Sequence, residues 1–121
     1  LAANPQAHLL ALTLGANGGW LLHRNGTQCF AQEAQPLPVA DTVGAGDSFL
    51  AGLLAHLLRQ SQQAGAASFA QFVEALSDTA CQQALHHALA SASLCVMEQG
   101  CVPPGWAAAV DWAHKHPAQT A

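Results

Sequence analysis

The chain has 121 residues, enough for one domain, and is 51% hydrophobic and only 8% charged. The net charge is −4, with three basic residues, so the basic footprint that nucleic-acid binding requires is absent. No stretch has the form of a membrane span or a signal peptide, so we expect neither nucleic acid nor a membrane as a partner.

Cysteines and histidines give little support for a metal site or a disulfide framework. The four cysteines include no Cys-x-x-Cys pair; they are Cys29, Cys81, Cys95 and Cys101. We expect free, buried thiols, because unpaired cysteine packs as a small hydrophobe. His86 and His87 are adjacent, but neighbouring helix residues point in different directions and do not easily share one ion.

The N-terminal part of the chain has the pattern of strands joined by glycine turns. The apolar run over residues 8–14 predicts a buried strand of a parallel sheet. Three glycines follow within residues 15–19 and predict a tight turn. Asn25-Gly26 then lies between two strand-like runs, which is the strongest short-range signal of a β-hairpin.

Residues 35–40 are predicted to be extended, because the residue before a proline is disfavoured in a helix. A loop of small residues follows and runs into a helix predicted from Ala45 to about Gln60. One apolar stripe of this helix is predicted to face the core: Phe49, Leu50, Leu53, Leu54, Leu57 and Leu58. His56 lies elsewhere on the helix and is predicted to be solvated.

The next segment is predicted to be helical. Ser68 and Gln71 form a capping-box pattern before a helix, or a pair of helices, running from about Phe69 to Glu98. We expect an interruption at residues 77–78, with Asp78 capping the second part.

Small residues recur late in this helical region, at Ala84, Ala88, Ser91 and Ala92. They either let another element approach closely or leave room for a flat ligand such as adenine. Gly100 is predicted to end the helix. A last amphipathic helix is predicted over residues 106–114, and the tail from Pro117 is predicted to fray.

The loop over residues 41–47 carries the strongest chemical signal. Its glycines let a ligand approach the backbone, and the first turn of the following helix has N–H groups without partners. Because the helix dipole also favours negative charge there, Gly44, Ala45 and Gly46 predict an anion site, most naturally for phosphate. Asp47 lies at its mouth, where a carboxylate can orient a hydroxyl and accept its proton during attack on phosphorus.

Three segments resemble signatures of one family. Asp41-Thr42-x-Gly44-Ala45-Gly46-Asp47-x-Phe49 resembles the C-terminal signature of the ribokinase-like (PfkB) carbohydrate kinases. Thr13-Leu14-Gly15-Ala16-Asn17-Gly18-Gly19 resembles the family's nucleotide-binding turn. The segment Glu98-Gln99-Gly100, with Pro103-Pro104 after it, resembles the closing segment.

The resemblance implies an α/β fold, the C-terminal part of a three-layer αβα sandwich with a β-hairpin and alanine-rich helices. No motif for the first half of the family is present in the sequence. We therefore expect residues 1–121 to be the C-terminal nucleotide-binding part of a single kinase domain whose N-terminal half and lid are absent from this chain.

The resemblance implies ATP as the phosphoryl donor, Mg²⁺ with it, and Asp47 as the catalytic base. It implies nucleotide contacts from Thr13, Gly15, Ala16, Asn17, Gly18, Gly46 and Leu89. For the glycine turn over residues 15–19, the alternative to nucleotide binding is an ordinary turn at the end of a strand. No magnesium ligand is assigned, because the family's magnesium-proximal acids lie in the absent half.

Asp41 has two candidate roles. Its carboxylate can clamp the loop, or it can hold a monovalent cation such as K⁺, as the resemblance implies for the matching aspartate. The carbonyls that would join it are those of Val43, Cys95, Glu98 and Gly100. Pro104 stands where some relatives place a hydroxyl ligand, and this departure counts against the cation.

Within the family, the signature and the ending after Gly100 are most similar to bacterial fructokinases. We therefore expect a cytoplasmic enzyme that phosphorylates a sugar hydroxyl with ATP, with fructose as the first candidate and a homodimer formed through the missing lid. Two alternatives stay open. The acceptor could be another sugar or a nucleoside, or the chain could be a truncated, non-catalytic remnant that binds nucleotide. We expect the isolated chain to be inactive.

Overall fold

In the computed structural model, which describes residues 3–120, three β-strands precede four α-helices. The strands are β1 (Leu9–Thr13), β2 (Gly19–His23) and β3 (Gln28–Ala31). The helices are α1 (Ala45–Gln63), α2 (Phe69–Glu74), α3 (Asp78–Val96) and α4 (Trp106–Lys115). A 3₁₀ turn, Gly15–Asn17, joins β1 to β2. No helix in this range is long and apolar enough to cross a membrane.

The strands form one antiparallel sheet in the order β1-β2-β3. Leu12 lies opposite Trp20, which lies opposite Phe30, so the three side chains share one face of the sheet. This face is open: Leu10 and Leu12 are 44% and 46% exposed. The prediction that this run is a buried strand of a parallel sheet is therefore wrong within the described residues, because the partner of β1 is the antiparallel β2.

The predicted hairpin at Asn25-Gly26 is confirmed. The N–H of His23 donates to the carbonyl of Thr27 at 2.8 Å, and Gly26 has a φ of +101°. A three-residue loop that ends in a left-handed residue is a common hairpin connection, and glycine adopts that conformation without steric cost.

The other face of the sheet packs against α1 and α3 and forms the core. The largest fully buried side chains are Leu21, Leu57, Leu85, Cys81 and Cys95. Half of the predicted stripe of α1 belongs to this core, namely Phe49, Leu53 and Leu57. The other half of the prediction is wrong, since Leu50, Leu54 and Leu58 are each about half exposed. One residue further along a helix is rotated by about 100°, which turns these leucines away from α3.

The helices α1 and α3 make the most extensive contact of the fold, and Gly52 lies within this contact. A Cβ at Gly52 would collide with the Ser91 hydroxyl and lie 3.4 Å from the Cα of Ala88. The first interpretation of the small residues in α3, that they admit a neighbouring element, is confirmed at Ala88 and Ser91.

The interruption predicted between the middle helices is confirmed, but the cap is a different residue. Ser68 accepts a hydrogen bond from Gln71 N at 3.1 Å, as predicted. Ser77, and not Asp78, caps α3 by accepting from Ala80 N at 3.1 Å. Asp78 instead accepts a hydrogen bond from the Thr27 hydroxyl at 2.6 Å, which ties the start of α3 to the hairpin.

The C-terminal tail is tied down, so the prediction that it frays is wrong. Gln119 and Gln32 exchange two backbone hydrogen bonds of 2.8 and 3.0 Å, and Ala118 packs against the core. Trp112 of α4 donates to the Glu33 carboxylate at 3.1 Å, and burial raises the pKa of this carboxyl group. These contacts fasten the segment that leads into the loop.

All four cysteines are free thiols. Three of them are buried as predicted, but Cys101 is exposed. Burial raises the pKa of the Cys81 thiol to about 12, with Cys29 beside it as a further cause, so this thiol is unreactive at neutral pH.

We expect Gly52→Ala to lower the free energy of unfolding by about 1–3 kcal/mol, the usual cost of overpacking, as measured by urea titration with circular dichroism. The matched control is Gly46→Ala in the same helix, where an added Cβ has no atom within 4 Å. This control should be as stable as the parent or slightly more stable. Equal stability of the two variants would contradict the close approach at Gly52.

Candidate functional site

The site is built on the N-terminus of α1. Gly44 is its N-cap, in the left-handed conformation with a φ of +78°. A Cβ at this position would also collide with the Sγ of Cys101. Glycine is therefore required at Gly44 both by the backbone conformation and by the packing of Cys101.

Backbone donors at this helix end are free. The first hydrogen bond of α1 runs from Ser48 N to Gly44 O at 2.8 Å. The N–H groups of Gly44, Gly46 and Asp47 have no partner among the described residues, whereas Ala45 N donates to Thr42 O at 3.3 Å. A ligand can approach Gly46 unhindered, because nothing lies within 4 Å of where its Cβ would be. Of the three residues predicted to form the anion site, Gly44 and Gly46 have free N–H groups and that of Ala45 is engaged.

Asp47 lies in the first turn of α1 with an exposed side chain. Within residues 3–120, its carboxylate forms no hydrogen bond or ion pair. An acid in the first turn is favoured by the helix dipole alone. Its free oxygens nevertheless leave it able to accept a hydrogen bond from a ligand hydroxyl.

Asp41 clamps the loop to the segment that follows α3. Its Oδ1 accepts a hydrogen bond from Val43 N at 3.0 Å. Its Oδ2 accepts from Gly100 N at 3.1 Å and from the Gln99 side chain at 3.4 Å. Two further bonds, from Ala40 N and Asp41 N to a single carbonyl of α3, fix the approach to the loop.

The N–H groups that donate to the Asp41 carboxylate compete for its oxygens with a monovalent cation, which is the alternative role predicted for Asp41. A carboxylate has about four lone-pair positions, and three N–H groups already point at this one. The carbonyl of Val43 accepts from the Cys95 thiol at 3.6 Å. The hydrogen bonds around Asp41 and Val43 therefore fit a clamp, while the cation stays a prediction.

The glycine turn after β1 lies beside the start of α1. Gly19 faces the ring of Phe49, which an added Cβ would approach to 3.4 Å. Gly18 has a φ of +90° and packs on the backbone of Ala31, so packing accounts for this glycine. The other predicted nucleotide contacts of the turn are exposed: Thr13, Gly15, Ala16 and Asn17.

A cavity of about 190 Å³ runs along α1 from its first turn. Its walls are α1, α3 and the segment between α3 and α4, with Ser48, Gly52, His87, Ser91 and Trp106 among the lining residues. Leu89, a predicted nucleotide contact, does not line it and is buried in the core. Residues two apart on a helix face different sides, so His87 faces the cavity where Leu89 does not.

His87 and Trp106, which line the cavity, belong to a stack of rings that sequence reasoning missed. His87 lies 4.3 Å from Trp106 and 5.1 Å from His56 between ring centroids, and the Arg59 guanidinium lies 4.2 Å from the Trp106 ring. The prediction that His56 is solvated is wrong. It lies four residues after Gly52, and residues four apart share a helix face. This spacing could have indicated from the sequence that His56 packs towards α3.

Both histidines of the stack are held neutral. Burial, with positive charge on His56 and Arg59 as further causes, lowers the pKa of His87 to about 4. Burial also lowers the pKa of His56, and the positive charge of Arg59 acts in the same direction. His86, the neighbour of His87, points elsewhere and forms a 2.8 Å hydrogen bond with Gln82.

Free backbone donors, an unpaired acid and a clamped glycine loop therefore meet at one helix end, an arrangement that fits an anionic group next to a carboxylate. Residues 2–107 match the model of the pfkB family carbohydrate kinases, so the chain belongs to this family.

Among curated proteins, the chain is 46% identical over 48 residues to fructoselysine 6-kinase from Escherichia coli (strain K12) and to the same enzyme from Shigella flexneri. These matches cover 40% of this chain but only 18% of each relative. Among solved structures, ribokinase from Arabidopsis thaliana, complexed with ribose and ATP, superposes with a TM-score of 0.60 at 24% identity. That match covers 86% of this chain and 28% of the plant protein, and it confirms the ribokinase-like fold.

We expect Asp41→Asn to loosen the loop, because an amide nitrogen would replace one of the oxygens that accept N–H bonds. Hydrogen exchange measured by NMR should speed up at the amides of Val43 and Gly100 by about fivefold, as loss of roughly 1 kcal/mol of hydrogen bonding implies. Asp111→Asn, at an exposed pair with Lys115, is the control and should leave both amides unchanged.

The same hydrogen-exchange measurement also tests whether Asp41 binds a monovalent cation. Replacing choline chloride by KCl should leave exchange in the parent chain unchanged. Protection of these amides by K⁺ alone would contradict the clamp as the role of Asp41.

Proposed function

We propose that the chain is the nucleotide-binding part of an ATP-dependent sugar kinase, with Asp47 as the base. The observation that carries the proposal is the free carboxylate of Asp47 beside the unpartnered N–H groups of Gly46 and Asp47. Membership of the carbohydrate kinase family supports it.

In the proposed reaction, Asp47 orients the sugar hydroxyl and accepts its proton as the oxygen attacks the terminal phosphorus of ATP. The bond between that phosphorus and the bridging oxygen breaks, and ADP leaves. Charge on the transferred group is stabilised by the backbone donors at the start of α1, by analogy with oxyanion sites where one donor lowers the barrier by roughly 3 kcal/mol. The clamp at Asp41 holds these donors in place.

For the nucleotide, we propose that the phosphates lie at the N-terminus of α1 and that the base enters the cavity beside it. A volume of about 190 Å³ is below the roughly 300 Å³ at which pockets hold whole ligands, so the cavity suits one part of a ligand. The exposed turn from Thr13 to Asn17 is proposed to contact the same nucleotide.

Mg²⁺ is proposed to arrive with ATP. Among residues 3–120, no group of three or more acids, histidines or cysteines could hold a metal ion. We propose that the ligands of Mg²⁺ are the phosphates and residues of the kinase domain outside these 121 residues.

The proposed acceptor is a ketohexose. The signature resembles that of fructokinases, and the curated relatives are named as kinases of fructoselysine. Fructose and fructoselysine are therefore the first two substrates to compare, followed by ribose, a keto-deoxy sugar acid and a nucleoside.

A second candidate is a non-catalytic nucleotide-binding remnant. The chain spans only 28% of the ribokinase chain it matches, and the open faces of β1 and α1 carry leucines that are about half exposed. We propose that the first half of the kinase covers these faces and completes the sugar site, and that the isolated chain is inactive.

The family resemblance also leads us to propose a cytoplasmic kinase that dimerises through a lid.

We expect Gly46→Ala to weaken binding of tripolyphosphate by about tenfold or more, because its methyl group would occupy the open approach to the backbone donors. Titration calorimetry measures the affinity, and urea unfolding checks that stability is retained. Gly65→Ala, at another glycine with open space around it, is the control for an added methyl group. Undiminished binding by Gly46→Ala would remove the anion site from the proposal.

We expect Asp47→Asn to reduce turnover by about 10²-fold or more, with nearly unchanged ATP affinity, as is usual for loss of a positioned base. The measurement is ADP release by a polypeptide that joins this chain to the first half of the kinase, with the acceptors named above. Asp111→Asn is the control acid. Loss of ATP binding with normal turnover of bound substrate would exclude Asp47 as the base.

A further inference from the structure

The ring stack, formed by His56, His87 and Trp106, joins the start of α4 to α1 and α3. The Trp106 ring lies 5.7 Å from the ring of His56 and 4.3 Å from that of His87. The two imidazole rings lie 5.1 Å from each other, and the Arg59 guanidinium lies 4.2 Å from the centre of the Trp106 ring. Three of these four side chains carry a positive charge or can acquire one.

No carboxylate of the described residues balances this positive charge. The charges that act on the two imidazole rings are those of Arg59 and of the other imidazole. On α4, Asp111 forms an ion pair with Lys115 at 3.1 Å, and His114 is exposed. The residues between α3 and α4 that line the cavity, 103–105, have no titratable side chain. A proton on either ring would therefore face only like charge.

The stack is suited to neutral imidazoles. Burial, with the positive charges beside it, lowers the pKa of His87 to about 4, and burial also lowers the pKa of His56. Nδ1 of His56 is buried with no hydrogen-bond partner among residues 3–120, and the His87 ring forms no hydrogen bond within that range. An added proton would thus gain no acceptor to offset the repulsion from Arg59.

An open stack binds protons more tightly than a closed one. A solvated histidine has a pKa of about 6.5, whereas both histidines of the closed stack have lowered pKa values. Closure is therefore fully favoured above about pH 6.5 and is weakened as the pH falls towards 4. Within this window, each histidine can change the equilibrium between closed and open stacks by up to about tenfold per pH unit.

The other end of α4 is held by contacts that do not involve the stack. Trp112 donates to the Glu33 carboxylate at 3.1 Å, and Gln119 exchanges two backbone hydrogen bonds with Gln32 beyond the helix. Opening of the stack would therefore release the start of α4 while its end stays attached.

The segment that leads into the stack also fastens the loop at the anion site. Gly100 donates to the Asp41 carboxylate at 3.1 Å, and the Cys101 side chain packs on Gly44. Trp106 follows only five residues after Cys101. A change that frees Trp106 thus removes one of the two attachments of this segment.

We propose that the ring stack is a pH-sensitive latch. Protonation of His56 and His87 releases the start of α4 and loosens the segment that clamps the loop in front of α1. The fixed geometry of the backbone donors at this helix end is lost as a result. The inference goes beyond the proposed kinase function and does not depend on it, because neither nucleotide nor sugar takes part.

The test is amide hydrogen exchange of the 121-residue chain, measured by NMR at pH 7 and pH 5. The rates are expressed as protection factors, so that the pH dependence of intrinsic exchange cancels. We expect protection at residues 109–111 of α4 to fall by about tenfold or more at pH 5, and that of Gly100 by about threefold or more. The amides of His23 and His116, which donate to backbone carbonyls away from the stack, should change by less than about twofold.

The double variant His56→Phe with His87→Phe keeps the aromatic rings and removes both titrations. Its protection factors at pH 5 and pH 7 should agree within about twofold. His114→Phe is the matched control, since it makes the same substitution at an exposed histidine of α4, and it should respond to acid as the parent does. Glu33→Gln is the second control, because burial raises the pKa of this carboxyl group, and it should also retain the response.

A direct measurement keeps the test decisive if the double variant does not fold. In ¹⁵N NMR spectra of the parent chain, the rings of His56 and His87 should titrate below the ordinary histidine value, together with the loss of protection in α4. The single variants His56→Gln and His87→Gln identify the two signals. Ordinary titration of both rings with α4 protected throughout would refute the latch.

Three further results would also refute the latch. One is unchanged protection at residues 109–111 in the parent between pH 7 and pH 5. The second is a loss of protection that persists in the double phenylalanine variant, which would assign the acid response to other groups. The third is an equal loss throughout the chain, which would indicate global unfolding by acid. A loss in α4 without a loss at Gly100 would refute the link to the loop.

Discussion

The close approach of α1 and α3 at Gly52 is the constraint on which the rest of the structure depends. With no side chain at Gly52, the helix axes come close enough for Ser91 and Ala88 to fill the contact. This approach buries Phe49, Leu53 and Leu57 against α3 and the sheet. It also sets the direction of α1, and therefore the place where its free N–H groups point. The cavity lies between the two helices and the segment before α4.

The loop in front of α1 is held by interactions of a different kind. Asp41 fastens it by hydrogen bonds to Val43 and Gly100, and the Cys101 side chain packs on Gly44. Donors that must stabilise developing charge are most effective when they do not have to reorganise. The segment after α3 thus has a physical role in the site, although it supplies no group that we place in the reaction.

The ring stack connects α4 to this frame. Trp106 contacts His56 and Arg59 of α1 and His87 of α3, so one side chain bridges three helices. A charged imidazole would be costly beside Arg59 in this buried setting, and both rings stay neutral for that reason. This arrangement leaves one buried polar atom, Nδ1 of His56, without a hydrogen-bond partner among the described residues.

The sequence by itself determined the features that depend on local backbone chemistry. These include the hairpin at Gly26, the start of α1 at Ala45, the break before α3 and the glycine loop with its two acids. Each follows from steric or hydrogen-bonding preferences over a few residues. Only the tertiary structure decided which leucines of α1 are buried, that Asp41 clamps Gly100, and that His56 and His87 meet at Trp106. These outcomes depend on how helices far apart in the chain are packed, and a pattern within one helix does not contain that information.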